Sequence, residues 1–263
     1  MFGLITAGGH LKKDDPLFIE TGIDKKALIP IEGKPMGQWV ADALLGSDQI
    51  TGLVVVGLKT GQLQTESKSI HYVEDHGGIV ENVLAGVDYI KKMAPDCNRI
   101  LLSSSDIPLI TTDIVHDFID TCLKKEGDLI YTVVEQVTME SRFPNSNRTF
   151  TRLKGGSYTG GDLMMLDSAF ANPNLDLFRG ATGNRKNFLA QAKLIGFTFI
   201  FRFIFRLMDL VEAEERAKEA LNISGHILSY HRAEIAMDVD KIHHYHLVKD
   251  ALKSDVTDSA LRR

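Results

Sequence analysis

Short apolar runs, rich in β-branched residues, alternate along the first half of the chain with longer segments of helical periodicity. Continuous apolar runs of this kind are typical of strands that are covered on both faces. Strands that alternate with helices predict a mostly parallel, Rossmann-like central sheet inside a three-layer α/β/α fold. The predicted strands are residues 2–6, 53–56, 70–73, 100–103 and 128–135, and the predicted helices are residues 35–45, 79–92 and 111–124.

The pattern changes after residue 135, where the regular alternation of strands and helices ends. Gly155 and Gly156 lie between two extended segments and indicate a turn. The elements predicted here are extended segments at 148–154 and 158–166, helices at 185–194 and 210–221, a strand at 226–235 and a final helix from about Lys241.

The two parts of the chain are expected to form one domain, because the sequence shows no internal repeat, low-complexity tract or convincing linker. We expect this domain over residues 1–252. It is expected to divide into an N-terminal half at about 1–135 and a C-terminal half at about 136–252. Residues 253–263 are expected to be a polar, frayed tail.

Composition narrows the functional classes. With 263 residues, 44% of them hydrophobic, the chain can bury a core without disulfides. Cys97 and Cys122 have no metal-ligand spacing, so a reducing, cytoplasmic location is expected. The net charge of −5 and the lack of a long basic run predict no nucleic-acid partner. The first residues carry no basic leader, so no signal peptide is expected, and the oligomeric state is not readable.

One apolar segment, residues 195–208, invites a membrane interpretation. It is shorter than the roughly 20 apolar residues that a membrane span needs, and Arg202 and Arg206 interrupt it. We therefore interpret it as a buried core element and expect no transmembrane segment. Interfacial membrane contact and the lining of a lipid-like acceptor pocket stay open as alternatives.

A glycine pair follows the first predicted strand. Ala7, Gly8 and Gly9 lie at the carboxyl end of that strand, where parallel sheets bind their ligands. Glycine lets backbone N–H groups approach phosphate oxygens without interference from a Cβ atom. The sequence lacks both the G-x-G-x-x-G pattern and the P-loop pattern at this place, which disfavours the two commonest nucleotide-binding folds.

A second phrase, residues 26–36, reads KALIPIEGKPM and places Lys26 and Lys34 around an apolar piece just before a helix. Together with ITAGG at residues 5–9, this phrase resembles the nucleotidyltransferases of the GT-A type. That group includes molybdenum-cofactor guanylyltransferase, its cytidylyl relative and the sugar-1-phosphate nucleotidyltransferases. The resemblance implies a Mg²⁺-dependent enzyme that transfers a nucleoside monophosphate from an NTP to a small phosphorylated acceptor and releases pyrophosphate. It also implies that the half at about 1–135 binds the nucleotide and the half at about 136–252 binds the acceptor.

The resemblance also implies roles for residues of the loop. Lys26 is expected to steady the α- and β-phosphates as charge builds on the leaving pyrophosphate. The family usually carries an arginine soon after the glycines, whereas this chain has none between Gly9 and Lys26. Lys12 or Lys13 is expected to take the role of that arginine.

Two aspartates are candidates for binding Mg²⁺, which takes one or two protein carboxylates and fills its other positions with phosphate and water. Asp106 ends the strand at 100–103 in a D-x-P-L phrase that matches the family's metal-binding aspartate. Asp240 matches the second ligand of the family, and Asp238 shares its strand face. The nearby His243, His244 and His246 are interpreted as exposed helix residues and not as ligands.

Two further phrases match the family more weakly. Residues 74–82 occupy the loop that reads the base or orders the nucleotide in relatives, which makes Gly77, Gly78 and Asn82 candidate nucleotide-binding residues. Residues 158–162 resemble the acceptor-side phrase, which makes Gly161 and Asp162 candidate acceptor-binding residues. Simple turns explain both phrases equally well.

Two other functions stay open. A glycosyltransferase of the same fold would use a nucleotide-sugar donor and a D-x-D motif, but residues 106–108 read D-I-P. A non-catalytic nucleotide-binding protein is compatible with the missing arginine and with the altered sequence after Asp240. The sequence discloses neither the acceptor nor the base of the NTP.

Overall fold

The computed structural model describes residues 1–66, 68–171, 208–221 and 223–261. The helix predicted at 185–194, and the apolar segment at 195–208 except for Met208, lie outside the described residues. The strands are β1 (Phe2–Thr6), β2 (Pro30–Ile31), β3 (Lys34–Pro35), β4 (Gly52–Val56), β5 (Ser69–Val73), β6 (Arg99–Ser104), β7 (Leu129–Glu135), β8 (Thr151–Leu153), β9 (Gly156–Gly160), β10 (Leu163–Asp167) and β11 (Gly225–Ser229). The α-helices are α1 (Pro16–Thr21), α2 (Met36–Gly46), α3 (Ile79–Met93), α4 (Thr112–Leu123), α5 (Gln136–Arg142), α6 (Leu210–Leu221) and α7 (Ile242–Leu261).

The main sheet follows the order β5-β4-β1-β6-β10-β7-β9-β8. Strands β5, β4, β1 and β6 pair in parallel, so their carboxyl ends meet at one rim. Strand β10 runs antiparallel between β6 and β7, and β11 pairs in parallel with the other edge of β7. The sheet is therefore mixed and mostly parallel, as predicted.

The two faces of the sheet explain why its central strands are continuously apolar. On one face, Leu4 and Val54 pack with Val87 and Ile90 of α3. On the other face, residues of β1 and β4 belong to a larger core that includes α2 and α4, with Phe118 fully buried in it. Both faces of the sheet are thus covered by helices, which confirms the three-layer α/β/α prediction.

Residues 10–26, for which the sequence predicts neither a helix nor a strand, contain regular structure. Helix α1 begins after Asp15, whose carboxylate accepts a hydrogen bond from the backbone N–H of Leu17 at 2.8 Å. The helix ends at Thr21 and is capped by Gly22, which has a φ of 70°. A short 3₁₀ helix, Lys26–Leu28, then leads into the β2–β3 hairpin. Helix α1 thus depends on its local capping residues and not on hydrophobic periodicity.

The second half differs from the prediction in four places, the first being that the extended segment expected at 158–166 forms two strands, β9 and β10. Helix α5, at Gln136–Arg142, was not predicted, and the strand expected at 226–235 ends at Ser229, before a 3₁₀ helix at Ala233–Ala236. Helix α7 continues to Leu261, through most of the segment that was expected to be a frayed tail. Within the described part of the chain, no helix has both the length and the apolarity that a membrane crossing requires.

Candidate active site

The centre of the site is an ion-paired group formed by three distant parts of the chain. Lys26 lies in the short 3₁₀ helix, Asp106 follows β6, and Asp240 precedes α7. The ammonium of Lys26 donates to Asp106 Oδ2 and to Asp240 Oδ1, at 2.5 Å in each case. Three candidate residues that are far apart in sequence thus converge at one rim of the sheet.

A third carboxylate completes the group. Oxygen atoms of Asp106, Asp238 and Asp240 lie within 4.8 Å of one another, a spacing at which they can share a metal ion. Asp106 Oδ1 is buried and has no hydrogen-bond partner among the described residues. A hard cation such as Mg²⁺ prefers carboxylate oxygens, so the residues present fit the metal that the sequence predicts.

Electrostatics of this group favour charge on Lys26. Burial disfavours the charged form of the Lys26 ammonium. The attraction of the Asp106 and Asp240 carboxylates outweighs this effect and raises the pKa of Lys26 above its ordinary value. Burial, followed by a hydrogen bond to Asp240, raises the pKa of Asp238. Burial also acts on Asp240, but the hydrogen bond from Asp238 and the charge of Lys26 together outweigh it and lower the pKa of Asp240. The site therefore keeps Lys26 and Asp240 charged.

Arg148 is a site residue that the sequence analysis missed. It lies before β8 and forms an ion pair with Asp238, and the two side chains are 13% and 9% exposed. The local sequence around Arg148 carries no motif. Its relation to the site becomes visible only when the fold brings it beside Asp238.

The candidate acceptor residues behave differently from each other. Asp162 lines the cleft, and its backbone bridges two elements: its N–H donates to Ile235 O at 2.8 Å, and its C=O accepts from Ser104 N at 3.1 Å. Burial and the nearby Asp238 raise the pKa of the Asp162 carboxyl. Gly161 is buried, and a Cβ atom there would lie 2.6 Å from Thr132 Oγ1. The structure thus places Gly161 in the packing beneath the cleft.

The glycine loop forms the neighbouring wall. Gly8 packs so closely against the loop after β5 that an added Cβ atom would lie 2.6 Å from Asn82 Nδ2 and 2.8 Å from Asp75 Oδ1. Gly9 accepts a hydrogen bond from Lys26 N at 3.1 Å. Both glycines line the cleft. Ala7 is buried, and its N–H pairs with Val56 O, so it anchors the loop to the sheet.

Asn82 organises the adjoining wall. Its side chain is buried, donates to Asp75 Oδ1 at 2.9 Å and accepts from the backbone N–H of His76 at 2.7 Å. Asp75 also accepts from Gly77 N at 3.0 Å. The hydrogen bond from Asn82, followed by that from Gly77, lowers the pKa of Asp75. Asn82 therefore shapes the loop that carries Gly77 and Gly78.

These walls enclose a cleft of about 600 Å³ at the carboxyl rim of the sheet. That volume lies within the range of about 300–1,000 Å³ that is usual for small-molecule sites. Among the lining residues, Ile79 leaves an apolar side chain 70% exposed at the start of α3. The lining residues are Thr6, Gly8, Gly9, Lys26, Asp75, Gly77, Gly78, Ile79, Asn82, Ser104, Ser105, Asp106, Asp162, Asp238 and Asp240.

The lysines of the first loop are placed differently from expectation. Lys12 and Lys13 are exposed and do not line the cleft. Instead, the ammonium of Lys25 reaches the glycine loop, where it donates to Gly8 O at 3.4 Å and lies 3.0 Å from His10 Nε2. Burial lowers the pKa of Lys25, and the charge of Asp75 opposes that effect. A β-bridge between His10 and Lys25 explains this position.

Lys34 lies outside the cleft. Its ammonium pairs with Asp42 at 2.6 Å and sits over the ring of Trp39, 3.9 Å from its centroid. The structure thus separates the two lysines of the 26–36 phrase: Lys26 enters the site, and Lys34 braces the hairpin against α2.

The prediction that three histidines are exposed was wrong for two of them. His244 is buried, and both of its ring nitrogens are hydrogen-bonded. Its Nδ1 accepts from the backbone N–H of Asp240 at 3.3 Å, and its Nε2 donates to Ser146 O at 3.0 Å. His243 is half-buried and contacts the same carbonyl, whereas His246 is exposed. Among the described residues, the group suited to a metal contains only carboxylates.

Comparisons with known proteins agree with this geometry. A family model, that of the MobA-like NTP transferase domain, matches residues 3–234. The chain belongs to this family. It is accordingly a nucleotidyltransferase, and its mixed α/β sheet is the fold of other nucleotidyltransferases.

Solved structures similar to this MobA-like domain include a hypothetical transferase from Thermus thermophilus. It is 29% identical, the match covers 93% of this chain and 99% of that chain, and the TM-score is 0.80. A CMP:2-keto-3-deoxy-manno-octonic acid synthetase in complex with CTP is 12% identical over 97% of this chain and 98% of that chain, with a TM-score of 0.61. The 4-diphosphocytidyl-2C-methyl-D-erythritol synthase from Anaerococcus prevotii DSM 20548 is 12% identical over 95% of each chain, with a TM-score of 0.56. No curated protein matches the chain.

Proposed function

We propose that this MobA-like domain uses Mg²⁺ to transfer a nucleoside monophosphate from an NTP to a small phosphorylated acceptor, as a molybdenum-cofactor guanylyltransferase does. The observation that carries the proposal is the convergence of Lys26, Asp106 and Asp240 beside the glycine loop. A cation and two carboxylates at a strand rim, next to backbone amides, form a site for a metal–triphosphate complex.

In this proposal, Asp106 and Asp240 hold the Mg²⁺. When bound, the ion neutralises charge on the triphosphate oxygens. The buried oxygen of Asp106 without a hydrogen-bond partner supports this assignment, because such a group costs stability unless a ligand satisfies it. Lys26 contacts both carboxylates. We assign to it the leaving pyrophosphate, where its positive charge stabilises the charge that builds up.

The triphosphate is assigned to the wall formed by Gly8 and Gly9, with Ala7 anchoring their loop to the sheet. Their amides are able to approach phosphate oxygens closely. Lys25 is the better candidate than Lys12 or Lys13 for the missing family arginine, because its ammonium already lies at the carbonyl of Gly8. Gly77 and Gly78, supported by Asn82, are assigned to the nucleoside.

The acceptor is assigned to the side of the cleft that Asp162 lines. Gly161 contributes there through packing, since it lets the chain pass close to Thr132. An acceptor phosphate oxygen forms a bond to the α-phosphorus, and the bond from that phosphorus to the bridging oxygen breaks and releases pyrophosphate. An ionised phosphate needs no general base, so positioning and charge neutralisation carry the catalysis. We include the predicted cytoplasmic location in this proposal because both cysteines are free.

A thermal-shift screen of the four NTPs with Mg²⁺ tests the first half of the proposal. A ligand that binds the folded state raises its apparent stability, so one NTP is expected to raise the Tm of the wild-type protein and to raise it less in Asp106→Asn. The same NTP is then incubated with molybdopterin, sugar phosphates, alcohol phosphates and phospho-acids while pyrophosphate is measured. Binding without pyrophosphate release across that panel would favour the non-catalytic alternative, and turnover of a UDP-sugar would favour a glycosyltransferase.

A further inference from the structure

The ion pair between Arg148 and Asp238 sits at the edge of the carboxylate group. Both side chains are nearly buried, at 13% and 9% exposure. Asp238 lines the cleft, whereas Arg148 does not. Arg148 therefore touches the site through Asp238.

This ion pair affects how many carboxylates are able to bind a metal ion at the site. Asp106, Asp238 and Asp240 all lie within reach of one metal ion. Mg²⁺ in substrate-phosphate sites uses one or two carboxylates and leaves its other positions to phosphates and water, whereas Ca²⁺ accepts six to eight oxygen ligands. A third carboxylate on the ion would take a position that the triphosphate needs and would favour the larger cation.

We propose that Arg148 is a specificity-determining positioning residue, which holds Asp238 out of the metal's ligand set and leaves Asp106 and Asp240 as the protein ligands. This inference rests on the proposed function, because it requires a divalent cation bound by those two carboxylates. The two basic side chains then have separate roles, since Lys26 is ion-paired with the two ligands and Arg148 with the third carboxylate.

The charges around Asp238 support this division. The side chain of Asp238 is ion-paired with Arg148, and its oxygen lies within 4.8 Å of oxygens of Asp106 and Asp240. Lys26 pairs with those two carboxylates, and Arg148 pairs with this one. An arginine is suited to this role because it stays charged and presents several donors in a fixed plane.

The test is a mutant cycle in the full-length, nucleotide-free protein, with Mn²⁺ affinity measured from the electron paramagnetic resonance signal of the free ion. Ca²⁺ affinity is measured by competition with Mn²⁺. Arg148→Met is expected to tighten Ca²⁺ binding by about tenfold and to tighten Mn²⁺ binding less. Tenfold is at the lower end of the changes in metal affinity that follow substitution of residues around a metal's ligands. The matched control is Arg152→Met, an exposed arginine of β8 that is expected to leave both affinities unchanged.

The variant Asp238→Asn distinguishes coordination of the metal by Asp238 from a change in the electric field at the metal site. In the wild-type background it is expected to change Mn²⁺ affinity less than twofold, and in the Arg148→Met background it is expected to abolish the gain in Ca²⁺ affinity. The same loss of affinity from Asp238→Asn in both backgrounds would overturn the proposal, because it would show that Arg148 acts only through its charge.

Arg148→Met leaves a nearly buried carboxylate without its partner and is at risk of unfolding. The single variant Asp238→Asn then decides the question without it. If this variant weakens Mn²⁺ binding as much as Asp240→Asn does, Asp238 is a ligand in the wild-type protein and the inference is wrong. Failure of the proposed function looks different: Asp106→Asn and Asp240→Asn would then leave Mn²⁺ affinity unchanged.

Discussion

Lys26 Nζ lies 2.5 Å from Asp106 Oδ2, although the two residues are 80 positions apart in the sequence. The same ammonium contacts Asp240, 214 positions away. A contact of this kind requires the 3₁₀ helix at Lys26–Leu28, the end of β6 and the loop before α7 to be placed together. It joins the beginning, the middle and the end of the domain at one point of the sheet rim.

Asp106→Asn is expected to lower the rate of pyrophosphate release by about 10²–10³-fold, the usual effect of losing one group that stabilises developing charge. The fold should persist, because the amide has the shape of the carboxylate. Rates are measured with saturating NTP and acceptor, and Tm is measured in parallel. Asp96→Asn, at an exposed turn, is the control. Near-normal turnover in Asp106→Asn would remove the metal assignment.

Two neighbouring lysines are expected to have different kinetic effects. Lys26→Met should lower kcat by about 10²–10³-fold, because its charge is assigned to the leaving pyrophosphate. Lys25→Met should mainly raise KM for the NTP, by about tenfold or more, as the loss of a charged hydrogen bond does. Lys12→Met and Lys13→Met are the controls, and both should stay near wild type. A larger effect at Lys12 or Lys13 would favour the expectation from the sequence.

Substitutions in the glycine pair are expected to affect stability unequally. Gly8→Ala places a Cβ atom 2.6 Å from Asn82 Nδ2 and should destabilise the protein by about 1–3 kcal/mol through overpacking. Gly9→Ala meets its nearest atom, Lys26 Cβ, at 3.7 Å and should change stability by less than about 0.5 kcal/mol. Denaturant unfolding of both variants measures the difference. Equal losses would show that the loop is not packed as described.

Removal of the Asn82 side chain is expected to change how stability depends on pH. Asn82→Ala should cost about 1–3 kcal/mol, because the backbone N–H of His76 loses its partner. It should also raise the pKa of Asp75 towards its ordinary value of 3.8, since Asn82 provides the main hydrogen bond that lowers it.

The sign of the pH effect follows from that shift. A carboxyl whose pKa is lowered by folding stabilises the folded state above its ordinary pKa and loses that contribution as the pH falls through the lowered value. The stability gap between wild type and Asn82→Ala should therefore narrow below about pH 4. Unfolding experiments at pH 7 and pH 3, with Asn98→Ala as an exposed control, measure it, and nuclear magnetic resonance follows the Asp75 carboxyl. A gap that widens in acid contradicts the assignment.

The sequence predicts the parallel half of the fold well, because burial on both faces of a strand leaves a continuous apolar run that can be read directly. The sequence also predicts three residues of the site, Gly8, Gly9 and Asp106, for a related reason. Each follows a recognisable strand, and the carboxyl ends of parallel strands share one rim. The prediction that Asp240 joins them rests on its match to the second metal ligand of the family and not on a local pattern.

Other features have no local signal. The sequence predicts an extended segment at 158–166 but not its division into β9 and β10. Nor does it predict the antiparallel place of β10 between β6 and β7, which depends on pairing such as Leu163 with Ser103. The position of Lys25 depends on helix α1 and the bridge to His10, which redirect the loop. Arg148 lies in a polar stretch, and only its tertiary contact with Asp238 shows that it belongs to the site.

The placement of β10 has a mechanical consequence. Since it is hydrogen-bonded to β6 on one side and to β7 on the other, the part of the chain that carries the glycine loop and the part that carries Asp162 are one continuous backbone network. Under the proposed function, the distance between the two substrates would therefore be set when the protein folds. Evolution of a new acceptor in this scaffold would then proceed through exchanged side chains and connecting segments, with the spacing of the reacting phosphates left unchanged.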